Sequence, residues 1–470
     1  MCRRCCYIFL LAVLLVLNTQ LFARSIGGES PVSAIREIKS ILLTGNYQTR
    51  DKTILTELPF VKGGLLLESE IPGIAQRAKE NLGNTSLFNS VTVSFWYPNP
   101  GEVVFDIRVE ERWYIWVFPV FEQEGRNFSD FLRLNDGSYF NYGLYLKHDN
   151  LRGRNENLKL RLVTGYKNQM IIDYENPGFN NRWGWGVNFS WMVFDQLSYA
   201  TIDDKQVFLK VLGDRIMRQT RLQFSYLYRH NYDHRHRWSI AYLDDHAADT
   251  LLTVNPNYLP NGQKHNRMIE IGYRYQYDTR DSKVYPLKGN CYELSLLRKG
   301  LGLFSDYKGF FQGKFVASWQ TQMASRLFGS SMITLSGVDK KEVPYVFRTG
   351  LGYEEYLNGF EYKVVDGSSF GAIQNKLLFE LVPRKEKNLR FIPLKQFSKI
   401  HYAFYLKLHF DAGYVVNDAK APENEMANSL LLGYGVGLDL VTFYDKVLSL
   451  NYSLNNFGGH GFFVHFNLVM

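Results

Sequence analysis

From Trp113 to Met470 the chain is one long series of segments in which apolar and polar residues alternate. In Met268 to Tyr277, for example, Ile269, Ile271, Tyr273, Tyr275 and Tyr277 share one face and Glu270, Arg274 and Gln276 the other, because successive side chains of a strand point to opposite sides. The same split recurs widely. Leu158, Leu160 and Leu162 oppose Lys159 and Arg161; Leu222, Phe224, Tyr226 and Tyr228 oppose Arg221, Gln223 and Arg229; Tyr402, Phe404, Leu406, Leu408 and Phe410 oppose Lys407, His409 and Asp411. Segments of about ten residues with one apolar and one polar face are the signature of a membrane-spanning β-barrel. A soluble sandwich would also alternate, but it would turn its aromatics and leucines inward and would need fewer strands.

The 358 residues from Trp113 to Met470, at roughly 22 residues per strand with its turns, predict about 16 strands, an even number as in bacterial barrels. Between Asp195 and Gln263 the alternation is weakest, and the register of the strands there is left open. Composition agrees. Aromatics make up 16% of the chain, with 31 Tyr and 34 Phe, as aromatic girdles at two membrane interfaces require. No apolar run of about 20 residues follows the N-terminus, which argues against a helical membrane protein.

The N-terminus reads as a secretory signal over residues 1–23: Arg3 and Arg4, an apolar core from Tyr7 to Leu17, and cleavage after Ala23. Cys2, Cys5 and Cys6 precede that core and leave with it. Cys291 is then the single mature cysteine, so no internal disulfide is expected. The formal charge of +8 includes Arg3 and Arg4, and the other basic residues are scattered singly. That is not the clustered footprint of a nucleic-acid binder; contact with outer-membrane lipid headgroups is the expected use.

Residues 33–111 form a separate unit. Ile35 to Leu43 reads as a strand, Thr49 to Leu58 as a short helix closed by Pro59, and Ile71 to Leu82 as an amphipathic helix closed by Gly83-Asn84. Ser90 to Tyr97 and Val103 to Glu110 then form a hairpin around Asn99-Pro100-Gly101. This β-α-α-β-β order, with ILLTGNYQT, PFVKGG, LGNTSLFNSV and VVFDIRVEE at these intervals, resembles a POTRA domain, the periplasmic polypeptide-transport-associated module. Its sheet has an exposed edge, which is able to accept an extended chain by strand addition. Capping the barrel without binding anything is the other reading.

Several barrel segments resemble the outer-membrane protein assembly factor superfamily of BamA and TamA type, which includes the translocating pores of two-partner secretion. They are Glu111-Arg112-Trp113-Tyr114, Asn150-Leu151-Arg152-Gly153-Arg154-Asn155, Tyr277-Asp278-Thr279-Arg280-Asp281 with Tyr285-Pro286-Leu287-Lys288-Gly289, and the closing GYGVGLDL…FNLVM. The single POTRA unit is similar to that of a short subgroup. The resemblance implies a mainly-β fold: a transmembrane antiparallel β-barrel over residues 113–470, preceded by one small α+β POTRA domain, in the outer membrane of a Gram-negative cell with the POTRA domain in the periplasm.

It also implies a function, the passive insertion or translocation of unfolded outer-membrane or secreted client polypeptides. The alternative is a dedicated secretion or transport pore that keeps the fold without insertase activity. Accessory lipoproteins are not specified, and no cofactor, metal or catalytic group is expected. Within the family a long loop enters the barrel and carries Val-Arg-Gly-Phe, whose arginine contacts an acidic wall residue. Here the loop is residues 347–370; Gly359 and Phe360 match, and Asp411-Ala412-Gly413 meets the wall motif. The arginine position holds Asn358, which cannot give the bidentate charge-assisted contact of arginine. Asp411 is left with Lys407, His409, Arg348, Lys363 or Asn358 as candidate partners. Gly433, Gly435 and Gly437 share the interior face of one strand, either admitting another backbone or relieving sheet curvature.

The seam would lie between Trp113 to Gln123 and Phe462 to Met470, with Phe462, Val464, Phe466, Leu468 and Met470 outward. Pro119 has no N–H for a ladder and belongs at an edge. It marks either a seam short of bonds or the end of the linker. His230, His234 and His236 share parity near Asp233, but a solvated rim explains them without a metal. No phosphate loop or zinc-spaced Cys/His set occurs.

Overall fold

The structure, a computed structural model, describes residues 34–123, 140–165, 167–178, 182–211, 215–304, 307–388, 399–418, 423–442 and 446–467. The signal segment, Leu468 and Met470 lie outside the described residues.

The N-terminal unit runs β1 (Ile35–Thr44), α1 (Asp51–Thr56), β2 (Leu65–Leu67), α2 (Ile71–Gly83), β3 (Phe88–Trp96) and β4 (Glu102–Glu111). Ile71, Ala75, Ala78 and Leu82 recur on one face of α2, the spacing that lays a helix on a sheet. That face packs on Ile38, Phe105 and Ile107 of the sheet. Sheet order is β2-β1-β4-β3, with β1 parallel to β4. β2 adds a strand that the sequence reading lacks: three residues are too few to show alternation. It pairs with Ile35, Arg36 and Glu37 and covers part of the outer edge of β1. The free edge of this sheet is therefore β3, together with the outer side of the short β2.

The wall follows as β5 (Ile115–Gln123), β6 (Phe140–Leu151), β7 (Glu156–Gly165), β8 (Lys167–Asn176) and β9 (Trp183–Phe194). A hairpin of β10 (Gln196–Ile202) and β11 (Lys205–Lys210) projects from the wall as its own sheet. The wall resumes with β12 (Met217–Arg229), β13 (His234–Ala247), β14 (His265–Asp278), β15 (Gly289–Lys299), β16 (Phe310–Ala324) and β17 (Leu327–Val338). A second small hairpin, β18 (Thr349–Leu351) with β19 (Val365–Gly367), lies in the long loop. The wall ends with β20 (Ser369–Asn388), β21 (Lys399–Val416), β22 (Leu430–Thr442), β23 (Lys446–Asn455) and β24 (His460–Asn467).

Sixteen of these strands form one sheet, running from β5 through nearest neighbours to β24, and every pairing within it is antiparallel. The weak alternation after Asp195 has its explanation in β10, β11 and a short helix α3 (Asp249–Val254). These lie in connections at the end away from the N-terminal unit, where no two-sided wall pattern applies.

Burial in the wall is the reverse of a water-soluble core. Leu408 and Phe410 are each 50% exposed on the outer face of β21, whereas Lys407 and His409 are 4% exposed and Asp411 is 0% exposed on the inner face. Leu222, Phe224, Ile271, Leu296, Val436 and Leu450 repeat the outward pattern. Such a surface is stable where hydrocarbon is the solvent, and a closed sheet is one of two ways to satisfy the backbone there. Among the described residues no helix is long and apolar enough to cross a membrane.

Candidate functional site: loop, lid and seam

The connection from β17 to β20 turns back from the far end into the barrel. Its centre, Leu357-Asn358-Gly359-Phe360-Glu361, is buried throughout. Asn358 donates twice to Asp411 Oδ2, from its backbone N at 2.9 Å and from Nδ2 at 2.7 Å. Its Oδ1 accepts from Asn451 Nδ2 at 3.3 Å. Among the candidate partners of Asp411, Asn358 is the one in place. Lys407 instead pairs with Asp439 at 2.7 Å, and His409 Nε2 lies 3.0 Å from Ser453 Oγ. Arg348 is 3.8 Å from Asp366, and Lys363 donates to the carbonyl of Asp203.

Glycines make this docking possible. A Cβ on Gly433 would stand 1.8 Å from the Asn358 carbonyl oxygen, and one on Gly413 would stand 2.6 Å from Leu357 Cδ1. Gly359 itself has φ +89°, the left-handed region that side chains disfavour. At Gly433 the loop backbone does approach the wall; at Gly435 and Gly437 the neighbours are His409, Lys407, Asn451 and the next strand's carbonyls. Phe360 is buried with Leu351, Leu357, Phe370, Val415 and Leu431 in an apolar cluster inside the barrel. Phe370 belongs to β20 and not to the loop, so the loop ends earlier than its expected boundary.

The same loop touches the last strand. Tyr356 stacks on His465 with ring centroids 5.2 Å apart, and Tyr362 meets Phe463 at 5.2 Å. Glu361 Oε2 accepts from Gly359 N at 2.7 Å, while its Oε1 lies 3.5 Å from His465 Nε2. The loop is thereby fixed to β21 on one side and to β24 on the other.

At the opposite end the N-terminal unit sits over the barrel mouth. Glu57, just after α1, takes a two-pronged contact from Arg229 at 2.7 and 2.7 Å. Burial pushes the Glu57 carboxyl up, but the Arg229 charge and hydrogen bonds overcome this and hold it below the usual carboxylate range. Arg77 of α2 pairs with Asp233. The junction motif explains itself here. Glu111 accepts the backbone N–H groups of Gln48 and Thr49, and Tyr114 donates to the Leu87 carbonyl at 3.1 Å. The turn after Asn150 supplies Gly153, whose carbonyl accepts from Arg50 N at 3.0 Å and Thr53 Oγ1 at 2.8 Å. Tyr285 folds inward and donates to Asp439 Oδ2 at 2.9 Å.

β5 and β24 are the two ends of the sixteen-stranded sheet, and no ladder joins them among the described residues. Pro119 lies inside β5, opposite Leu144 of β6, so it belongs to the wall strand and not to the linker. Ile115, Val117 and Phe121 of β5 face outward, as do Phe462 and Phe466 of β24. His234 and His236 face outward too, against Tyr275 at 2.6 Å and Tyr273 at 2.9 Å, in an aromatic band with Tyr228 and Trp238. They hold no metal-ligating arrangement among the described residues. The Glu57–Arg229 and Arg77–Asp233 pairs escaped the sequence reading; only the inward parity of Arg229 hinted at the first.

A buried-polar lumen, an inserted loop and a small α+β unit at the mouth define a β-barrel of the outer-membrane type. The family models agree: residues 37–112 match POTRA, described as the surface antigen variable number repeat, and residues 150–370 match the Omp85 superfamily domain. The chain thus carries one POTRA domain, over residues 37–112, followed by an Omp85 superfamily domain over residues 150–370.

Solved structures share the fold at low identity. BamA from Haemophilus ducreyi lacking POTRA domains 1–3 is 16% identical, with TM-score 0.53 over 92% of this chain and 84% of that one. CdiB from Escherichia coli is 14% identical, with TM-score 0.56 over 92% and 75%. Among curated proteins, none matches the sequence.

Proposed function

We propose that this protein assists other polypeptides into or across the outer membrane, with its POTRA domain in the periplasm and the seam between β5 and β24 as the working site. The observation that carries this reading is the missing ladder between β5 and β24 among the described residues. Unpaired backbone groups in hydrocarbon cost several kcal/mol each, and an extended client strand relieves that cost by pairing with either edge. Pro119 keeps β5 from completing a regular ladder on both sides. The interior is a poorer route: the loop around Asn358 and the cluster around Phe360 occupy it. No nucleotide enters the scheme, because folding of the client in the bilayer supplies the free energy. The free side of β3 and the short β2 offer clients a first strand-addition edge.

A dedicated secretion pore is the second reading, and Asn358 favours it. A neutral amide holds Asp411 less strongly than a guanidinium, so this loop is easier to release from the barrel. The two readings separate by crosslinking. In a Cys291→Ser background, cysteines at Ile115, Val117 and Phe121 are to be tested against nascent outer-membrane proteins. Adducts at these outward seam positions support insertion. Adducts confined to cysteines at inward positions such as Ser453, with none at the seam, overturn it in favour of the pore.

A further inference from the structure

Between the POTRA domain and the barrel mouth lies a cavity of about 560 Å³, and its charges do not balance. Each of the four carboxylates on its wall already has an arginine. Glu57 is held by Arg229 and Asp278 by Arg280. Glu175 is held by Arg237 at 2.7 Å and Glu293 by Arg274 at 3.3 Å. Further cations line the same space, and among them Arg235 and Lys283 have no carboxylate salt bridge among the described residues. The guanidinium of Arg235, on the inner face of β13, makes no hydrogen bond or salt bridge among the described residues. Lys283, in the turn after β14, donates from Nζ to the carbonyl oxygen of Asn84 at 3.3 Å, with no other side-chain partner among the described residues.

Two cations facing one enclosed space, each near the other and near Arg229, repel one another, and burial denies them water. Groups in such a setting are satisfied by an anion with several acceptor oxygens, which the planar fork of arginine matches well. We propose that this vestibule binds an oxyanion, a carboxylate or a phosphate group, between Arg235 and Lys283. Bilayer headgroups do not reach it, because Arg235 points into the mouth and away from the lipid face that Trp238 and Ile240 occupy.

Lys283 supplies an independent signature. Burial, then the charge of Arg235, push its amine down to about 7, against the opposing pull of Glu57 and Asp278. Arg229 adds to the repulsion. A bound anion favours the charged amine, so binding near neutral pH takes up a proton.

The test uses the full chain in nanodiscs, titrated calorimetrically with inorganic phosphate and, separately, with an acetylated tetraglutamate peptide. Buffers of different ionisation enthalpy report the proton. Binding with proton uptake is expected, weakened about tenfold or more by Arg235→Gln or Lys283→Gln and retained in Arg235→Lys. The exposed Lys62→Gln variant is expected to bind like the parent. Tighter binding of phosphate identifies a free-oxyanion site; tighter binding of the peptide identifies a carboxylate carried by a chain. Absence of binding by both probes overturns the proposal. So does an equal loss in the Lys62→Gln control.

Discussion

Asn358 and Asp411 meet twice, through the loop residue's backbone N at 2.9 Å and its side-chain Nδ2 at 2.7 Å, both on Oδ2. Gln374 Nε2 lies 3.4 Å from the same oxygen. The other oxygen, Oδ1, is buried and accepts no hydrogen bond among the described residues. The loop is therefore latched by a one-oxygen contact. Asn358→Ala is expected to weaken the latch by about 1–3 kcal/mol, as for a hydrogen bond to a charged group. Thermal unfolding in detergent should show a lower midpoint, and planar-bilayer recordings a higher resting conductance.

Asn358→Arg carries the opposite expectation. A guanidinium can serve both carboxylate oxygens, and Oδ1 is the one without a donor. The variant should unfold at a higher temperature than the parent. An unchanged or lower midpoint would show that the pocket beside Gly433 and Asn451 has no room for the longer side chain.

Gly433→Ala should dislodge the loop, since the added carbon would lie 1.8 Å from the Asn358 carbonyl oxygen. Gly313→Ala is the matched control, with its nearest neighbour a leucine methyl at 3.8 Å. Limited proteolysis should cut within residues 353–363 in the first variant and spare them in the second.

Docking of the POTRA domain should depend on pH through Glu57. Its carboxyl is held below the usual range when docked, so the stabilisation is complete above the ordinary carboxylate pKa. It is lost as pH falls through the lower, docked value. Distance measurements between spin labels on α2 and the turn at Asn231 should broaden at acid pH. Glu57→Gln should produce the same broadening at neutral pH, because it leaves Arg229 buried without its partner, a loss of about 3–5 kcal/mol.

The contacts of Tyr356 with His465 and of Tyr362 with Phe463 connect the loop to the seam strand. Tyr356→Ala should therefore speed amide exchange in β24 as well as in the loop. Faster exchange confined to the loop would mean that the two move separately.

The barrel was legible from the sequence because a wall with lipid outside and polar side chains inside writes its geometry as parity. Leu408 and Lys407 declare their faces without any tertiary knowledge. β2 was not legible, because Leu65, Leu66 and Leu67 are too short a run to show a period and pair only with the start of β1. The candidate site was half legible. Gly359, Phe360 and Asp411 stand out through a family resemblance, and the inward face of Asp411 follows from parity. Which of five partners Asp411 takes does not, since that depends on how far residues 339–368 reach back into the barrel. The Glu57–Arg229 pair joins positions 172 residues apart in two separately folded units, and no local pattern in either records the other.

The central claim, that the β5–β24 seam works on other polypeptides, is tested most directly by reconstitution. Purified full-length protein in lipid vesicles would be mixed with an unfolded outer-membrane barrel, and the rate of client folding followed by its resistance to heat in gel electrophoresis. Client folding is expected to be faster than in empty vesicles, and the gain to be lost when a disulfide is engineered between β5 and β24 in the Cys291→Ser background. Steady ion conductance with a folding rate no higher than that of empty vesicles would contradict it.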